Sequence, residues 1–296
     1  MRRRFVTLDV FTNRRFAGNP LAVVLDAEGL DTGAMQAIAR EFNLSETVFV
    51  LPAAQASNRA RLCIFTPAAE LPFAGHPTVG TAVLLGQVDG ACGGEMILEE
   101  GVGDVRCRVE PADAERGRAK FDLPLLPEEI GPIRDRDGIA SALGLAPHEI
   151  GFGNFVPSCW SVGVRLALIP LRDLDLVRRC RVEGSSWKAI EVHARGAFVF
   201  CRETVEQGHA FHARMFAPGL GVAEDPATGA AAAAFAGVLA DSAGFADGEH
   251  DFTIEQGYEM GRPSLIELSI SIRQGKLMSA AIAGEAVLVA EGTIEA

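Results

Sequence analysis

The stretch His76-Pro77-Thr78-Val79-Gly80-Thr81-Ala82 returns in the second half of the chain as Asp225-Pro226-Ala227-Thr228-Gly229-Ala230-Ala231. Each copy follows a segment that closes on Phe-x-Pro: Phe65-Thr66-Pro67 in the first half, Phe216-Ala217-Pro218 in the second. Each runs on into a small, apolar stretch without charge, about Thr78 to Leu85 and Ala227 to Leu239. A helix that is apolar on all sides is a buried helix. Self-similarity of this kind constrains a fold more than any single element does. The expected class is therefore α+β. It has two pseudo-symmetric lobes, each a curved, mostly antiparallel and barrel-like sheet wrapped around a central apolar helix.

The flanking sequence agrees with that plan. Phe5 to Val10 alternates apolar with polar, Leu21 to Leu25 is a second short run, and a turn-rich segment joins them as a wide hairpin. Asp31 and Thr32 can cap a helix over about 33–42. Strands are expected over about 45–51, 59–65, 95–99, 103–109 and 120–123. Pro124, Pro127 and Pro132 then interrupt the pattern, which sets the lobe boundary there. The expected domains are 1–120 and 121–283, with the last strand, about 284–296, free to return to the first lobe. The second lobe has a short helix over about 138–143. Its strands run over about 161–168, 197–202, 210–216, 251–256 and 264–272, with two closing segments at about 278–283 and 285–291.

Composition narrows the function. The 296 residues are 48% hydrophobic and carry a formal net charge of −12. An acidic chain of this kind is a poor partner for nucleic acid or for an anionic membrane. No run of eighteen apolar residues exists, so no membrane span is expected. The opening Met-Arg-Arg-Arg lacks a following apolar core, so no secretion signal is expected. The six cysteines, at 63, 92, 107, 159, 180 and 201, form no C-x-x-C pair. Reduced thiols in the cytoplasm are the simplest reading. No metal and no organic cofactor are expected. Gly101-Val102-Gly103 and Gly151-Phe152-Gly153 lack the third glycine of a dinucleotide fingerprint. His209 and His212, read as part of one strand, would face opposite sides.

The two matched turns read as an anion clamp. Proline suits the first helical position, and Asp225 is a good N-cap where His76 is a poor one. First-turn N–H groups have no partner inside the helix and carry partial positive charge. Two such ends facing one cleft hold a small carboxylate without Lys or Arg. Asn43-Leu44-Ser45-Glu46-Thr47-Val48-Phe49 supplies a base. Alternation places Glu46 on a strand face with Leu44 and Val48, where burial would raise its pKa toward neutrality.

Four stretches carry a resemblance. They are Asp9-Val-Phe-Thr with Phe16-Ala-Gly-Asn-Pro-Leu-Ala-Val, Asn43-Leu-Ser-Glu-Thr-Val-Phe, Pro72-Phe-Ala-Gly-His-Pro-Thr-Val-Gly-Thr-Ala, and Glu224-Asp-Pro-Ala-Thr-Gly. Together they resemble the PhzF-like phenazine-biosynthesis family of the diaminopimelate-epimerase-like fold. The 120–200 stretch adds little to the match. The resemblance implies an isomerase that shifts a proton on a small anionic substrate between the lobes of a homodimer, without cofactor. It implies Glu46 as the acid/base residue, assisted by His76 and Asp225. Asn19, Gly75, Thr78, Thr228, Gly229 and Ala230 are the expected substrate-binding positions. The family's phenazine enzymes carry serine where this chain has Ala230, so dihydro-hydroxyanthranilate is not carried over as the substrate. The fold's two-thiol racemases place a cysteine at each helix start, and none of the six cysteines lies there. The same glutamate would also serve a lyase, dehydratase or epimerase. A non-catalytic small-acid binder is the reading from a different class.

Overall fold

Parallel strands need a crossover, and in this chain each crossover is a helix. The computed structural model describes residues 1–90, 93–111 and 113–296, without the side chain of Pro111. Cys92 therefore lies outside the described residues. The remaining five cysteines are free thiols. Contacts divide the chain into two units, Met1–Pro124 with Ile282–Ala296, and Leu125–Ala281.

In the first unit, β1 (Arg2–Val10) and β2 (Asn19–Val24) form an antiparallel hairpin with Val10 opposite Asn19. The Asp31 side chain accepts the Ala34 N–H and starts α1 (Thr32–Phe42), which Asn43 ends in the left-handed conformation. That helix carries the chain to β3 (Glu46–Leu51), parallel to β2 with Glu46 opposite Leu21. β4 (Ala60–Phe65) returns antiparallel, and the two-residue β5 (Glu70–Leu71) pairs with its end, Leu71 opposite Ile64. The central α2 (Gly75–Val88) then crosses to β6 (Gly94–Glu100), parallel to β4. β7 (Gly103–Pro111) and β8 (Arg116–Asp122) follow antiparallel.

The second unit opens with β9 (Glu128–Pro132) and α3 (Arg136–Leu143). It then repeats the series of pairings. β10 (Ser158–Ser161) is antiparallel to β11 (Arg165–Pro170). Short helices α4 (Leu174–Arg179) and α5 (Lys188–Glu191) lead to β12 (Gly196–Cys201), parallel to β11. β13 (Phe211–Ala217) is antiparallel, and β14 (Val222–Asp225) pairs with its end, Asp225 opposite Met215. The central α6 (Gly229–Ser242) crosses to β15 (Gly248–Gln256), parallel to β13, and β16 (Ser264–Arg273) follows antiparallel. Finally β17 (Lys276–Glu295) leaves this unit and ends in the first, where it pairs with β1 from Arg2 to Val10.

The architecture is α+β, as the repeat predicts. Some boundaries differ. The two closing segments are one strand, β17. The proline-rich stretch contains β9, and the loops before the two central helices contain β5 and β14. Strands of two to four residues show no alternation to read; they form because a longer neighbour offers free backbone groups.

Both central helices are buried almost throughout, which matches the absence of charge from Gly75 to Val88 and from Gly229 to Ala240. Each has one glycine where a strand comes close. A Cβ on Gly80 would lie 2.7 Å from the side chains of Leu21 and Val10, and one on Gly237 would lie 2.3 Å from the Trp160 ring. Phe235 on α6 sits 4.6 Å from the ring of Phe200 and 4.8 Å from that of Phe211, centroid to centroid. Truncating such a buried ring typically costs about 3–5 kcal/mol. Among the described residues no helix is long and apolar enough to cross a membrane.

The helix starts correct the register of the repeat. α2 begins at Gly75, behind the N-cap Ala74, so His76 is its second residue and Pro77 its third. α6 begins at Gly229, behind the N-cap Thr228. Asp225 is not a cap but the last residue of β14. In the folded chain Gly75 is equivalent to Gly229 and His76 to Ala230. Asp225 is equivalent to Leu71, the other strand end that precedes a central helix. The Pro-x-x-Gly match set His76 against Asp225 instead, because it could not see that the hairpin from Met215 to its partner Asp225 is longer than the one from Ile64 to its partner Leu71. The longer hairpin holds a 3-10 turn at Pro218–Leu220.

Candidate active site

In the first unit, β3 starts at Glu46 and α2 starts at Gly75, and these two starts bring a carboxylate to an imidazole. Oε2 of Glu46 is 3.3 Å from Nε2 of His76, with the side chains 17% and 4% exposed. Burial pushes the His76 pKa down to about 3, since a charged imidazolium loses its hydration inside the protein. His76 is therefore neutral at physiological pH, and its contact with Glu46 is not an ion pair. Its Nε2 makes no hydrogen bond among the described residues. Asn19 is fully buried at the start of β2, two residues before the Leu21 that faces Glu46.

Thr78 is placed differently from its expected role. It is fully buried, and its hydroxyl lies 2.8 Å from the Ala74 carbonyl and 2.7 Å from Oε1 of Glu100. Its polar atom is turned into the unit. Gly75 and His76 are the residues whose N–H groups lead the first turn.

In the second unit the corresponding turn is held by Gln256. Its Oε1 accepts the Thr228 N–H at 3.1 Å. Its Nε2 donates to the Asp225 carbonyl at 2.7 Å and to the Thr228 hydroxyl at 3.0 Å. With one lone pair so engaged, the Thr228 hydroxyl donates its proton to Oδ2 of Asp225 at 2.5 Å. Gly229 and Ala230 then present the first-turn N–H groups of α6.

Glu100 and Gln256 did not emerge from the sequence, although a signal was there. Leu98-Glu99-Glu100-Gly101 repeats as Ile254-Glu255-Gln256-Gly257. The glycine of each copy passes against backbone. A Cβ on Gly101 would lie 2.8 Å from Cα of Pro72, and one on Gly257 would lie 2.6 Å from the Pro226 carbonyl oxygen. The first glutamate of each copy ties down a loop. Glu99 accepts the N–H groups of Ala54 and Gln55 and an amide hydrogen of Asn58. Glu255 accepts those of Val205 and Glu206 and faces His209 at 2.8 Å.

His209 and His212 also correct the sequence reading. His209 precedes β13, so strand alternation does not apply, and both rings reach the same carboxylate, Glu255. His212 has Glu255 at 2.7 Å on Nδ1 and Glu259 at 3.0 Å on Nε2. Burial works against its charge, but the two carboxylates outweigh burial and raise its pKa. Burial likewise opposes the Glu255 charge, yet the bonds from His212, Val205, His209 and Glu206 bring its pKa down to about 2. This is a buried ionic network inside the second unit. Among the described residues no group of side chains is arranged to hold a metal ion.

A chain of two sheet-and-helix units, with a carboxylate and a neutral imidazole at one central helix start and an aspartate before the other, has an epimerase-like fold. Solved structures agree. A PhzF-family phenazine biosynthesis protein of Bacillus anthracis superposes with a TM-score of 0.89 at 26% identity, covering 100% of both chains. A probable proline racemase of Agrobacterium radiobacter shares the fold at 12% identity, with a TM-score of 0.66 over 99% of this chain and 93% of that one.

The family is a narrower matter. The family model described as "Phenazine biosynthesis-like protein" (PhzC-PhzF) matches residues 8–292, and the chain belongs to that family. An uncharacterized isomerase of Mesorhizobium japonicum is 51% identical, over 99% of this chain and 98% of its own. The trans-2,3-dihydro-3-hydroxyanthranilate isomerase of Pseudomonas fluorescens is 33% identical, over 98% of each. The chain is an isomerase of this family.

Proposed function

We propose that the enzyme is a cofactor-independent isomerase that shifts a proton on a small, carboxylate-bearing substrate, with Glu46 as the acid/base group. The Glu46–His76 contact carries this reading. A half-buried carboxylate beside a neutral imidazole is suited to take a proton from carbon and return it at another position. The imidazole nitrogen that has no partner of its own orients the substrate. The first-turn N–H groups of Gly75 and His76, and those of Gly229 and Ala230, are the donors suited to a substrate carboxylate. Asp225, oriented through Thr228 and Gln256, is the assisting acid of this reading. The five described cysteines are free thiols, which supports a reducing compartment such as the cytoplasm.

Glu46→Gln tests the mechanism. It keeps the shape and removes the base. With a substrate found by screening small carboxylic acids for turnover, kcat is expected to fall by about 100-fold or more. Deuterium from heavy water is expected to enter the product with the wild type. Turnover near the wild-type rate by Glu46→Gln would refute the role of Glu46. The screen includes trans-2,3-dihydro-3-hydroxyanthranilate, with the wild type and with Ala230→Ser. The expected result is that wild type turns it over poorly and that the restored hydroxyl improves KM.

A further inference from the structure

Thr78 has one hydroxyl proton and two close oxygen neighbours. The Ala74 carbonyl at 2.8 Å can only accept. Glu100 Oε1 at 2.7 Å can also only accept if it is ionised. Two acceptors cannot both be served by one proton, and both contacts are of full hydrogen-bond length. The geometry is satisfied in one way: Glu100 carries its own proton and donates it to the Thr78 oxygen, and Thr78 donates to Ala74. Oε2 of Glu100, buried without a partner, is then the carbonyl oxygen of a neutral acid, a far smaller burden than a buried charge.

We propose that Glu100 works as a neutral carboxylic acid whose O–H, donated to Thr78, positions the first turn of α2 and with it His76. Glu100 is a positioning residue, because it acts through Thr78 on the N-cap of the helix. Its surroundings fit the role. α2, β7 and β4 pack against β6. From α2 it meets Thr78. From β7 its titratable neighbour is Cys107, a buried thiol itself pushed up chiefly by burial. From β4, Arg61 acts on Glu99, on the opposite face of the strand. No charged side chain among the described residues offsets a charge on Glu100, and burial pushes its pKa up to about 8 against the opposing effect of Thr78. The second unit supplies the precedent. The equivalent residue there is Gln256, neutral at every pH, whose amide N–H donates to the threonine hydroxyl of its own turn.

Infrared difference spectroscopy between wild type and Glu100→Gln tests the protonation without any substrate. The expected result is a protonated-carboxyl C=O band at pH 7 in wild type that is absent from the variant and fades as pH passes about 8. The absence of that band at pH 7 would overturn the proposal. The positioning role is read from the His76 ring resonances by NMR. Glu100→Gln keeps a donor and is expected to leave them in place, whereas Glu100→Leu is expected to shift them. Equal shifts in both variants would overturn it. If either variant fails to fold, the titration of the wild-type band alone decides the point. None of these readouts involves Glu46 turnover, so their failure is separate from failure of the proposed reaction.

Discussion

The two central helices begin at equivalent places, and the same strand end holds each start, but with a different side chain. At α2 the holding residue is Glu100, which reaches Thr78 inside the helix. At α6 it is Gln256, which reaches Thr228 at the N-cap and the backbone of Asp225. The difference shows how the two halves of a duplicated scaffold diverge. Both units keep the crossover, the buried helix and the glycine after the holding residue. The imidazole stands only at the α2 start, where the α6 equivalent is Ala230. The aspartate stands only before α6, where the α2 equivalent is Leu71. Symmetric backbone supplies two sets of first-turn N–H groups, and asymmetric side chains distinguish the two helix starts.

The units can be set against each other by substitution. The largest effect is expected inside the second unit. Phe235→Ala empties a space among the rings of Phe198, Phe200 and Phe211, and should lower unfolding free energy by about 3–5 kcal/mol in a denaturant titration. Next come the two helix glycines. Gly237→Ala drives a methyl group into the Trp160 ring, and about 1–3 kcal/mol of overpacking is expected. Gly80→Ala meets only the tips of Leu21 and Val10, and alanine's better helix propensity offsets part of its cost. Equal losses at both glycines would show that the two helices are packed with the same tolerance.

Gln256→Glu copies the first unit into the second. It replaces the donor facing the Asp225 carbonyl by an acid beside Asp225. A loss of about 1–3 kcal/mol is expected, smaller at acid pH where the new group is protonated. Thr228→Val should have the smallest effect on stability, about 1 kcal/mol. It frees Asp225 from its hydroxyl donor, so its effect on turnover should exceed its effect on stability.

The units also respond to pH in opposite directions. The folded pKa of Glu100, about 8, lies above its ordinary 4.5. The folded state therefore holds that proton more tightly, and its stabilising contribution is full below pH 4.5 and is lost as pH rises to about 8. Glu255 is depressed to about 2 from 4.5. Its contribution is full above pH 4.5 and is lost as pH falls toward 2. Thermal unfolding across this range should show Glu100→Gln removing the loss on the alkaline side and Glu255→Gln removing the loss on the acid side. If the two substitutions changed the same limb, these assignments would be wrong.

Much of this was legible before folding. The apolar helices at 75–88 and 229–242, the strands around them and the motifs holding Glu46, His76 and Asp225 all stand in the sequence as pattern. The short strands β5 and β14 did not, because edge pairing leaves no periodic trace. The exact partners of His209 and His212 did not either, because a residue just outside a strand is free of its alternation.

What the sequence by itself determined is the inventory: a duplicated sheet-and-helix plan, an acidic surface and a set of site residue types. Hydrophobic pattern is local and survives in a linear string. Tertiary structure alone decided which residue answers which. It put His76 level with Ala230 rather than Asp225, turned Thr78 inward, and set Glu100 and Gln256 under the helix starts. Those relations depend on loop length between paired strands and on the count of donors around each oxygen, and both exist only once distant segments meet.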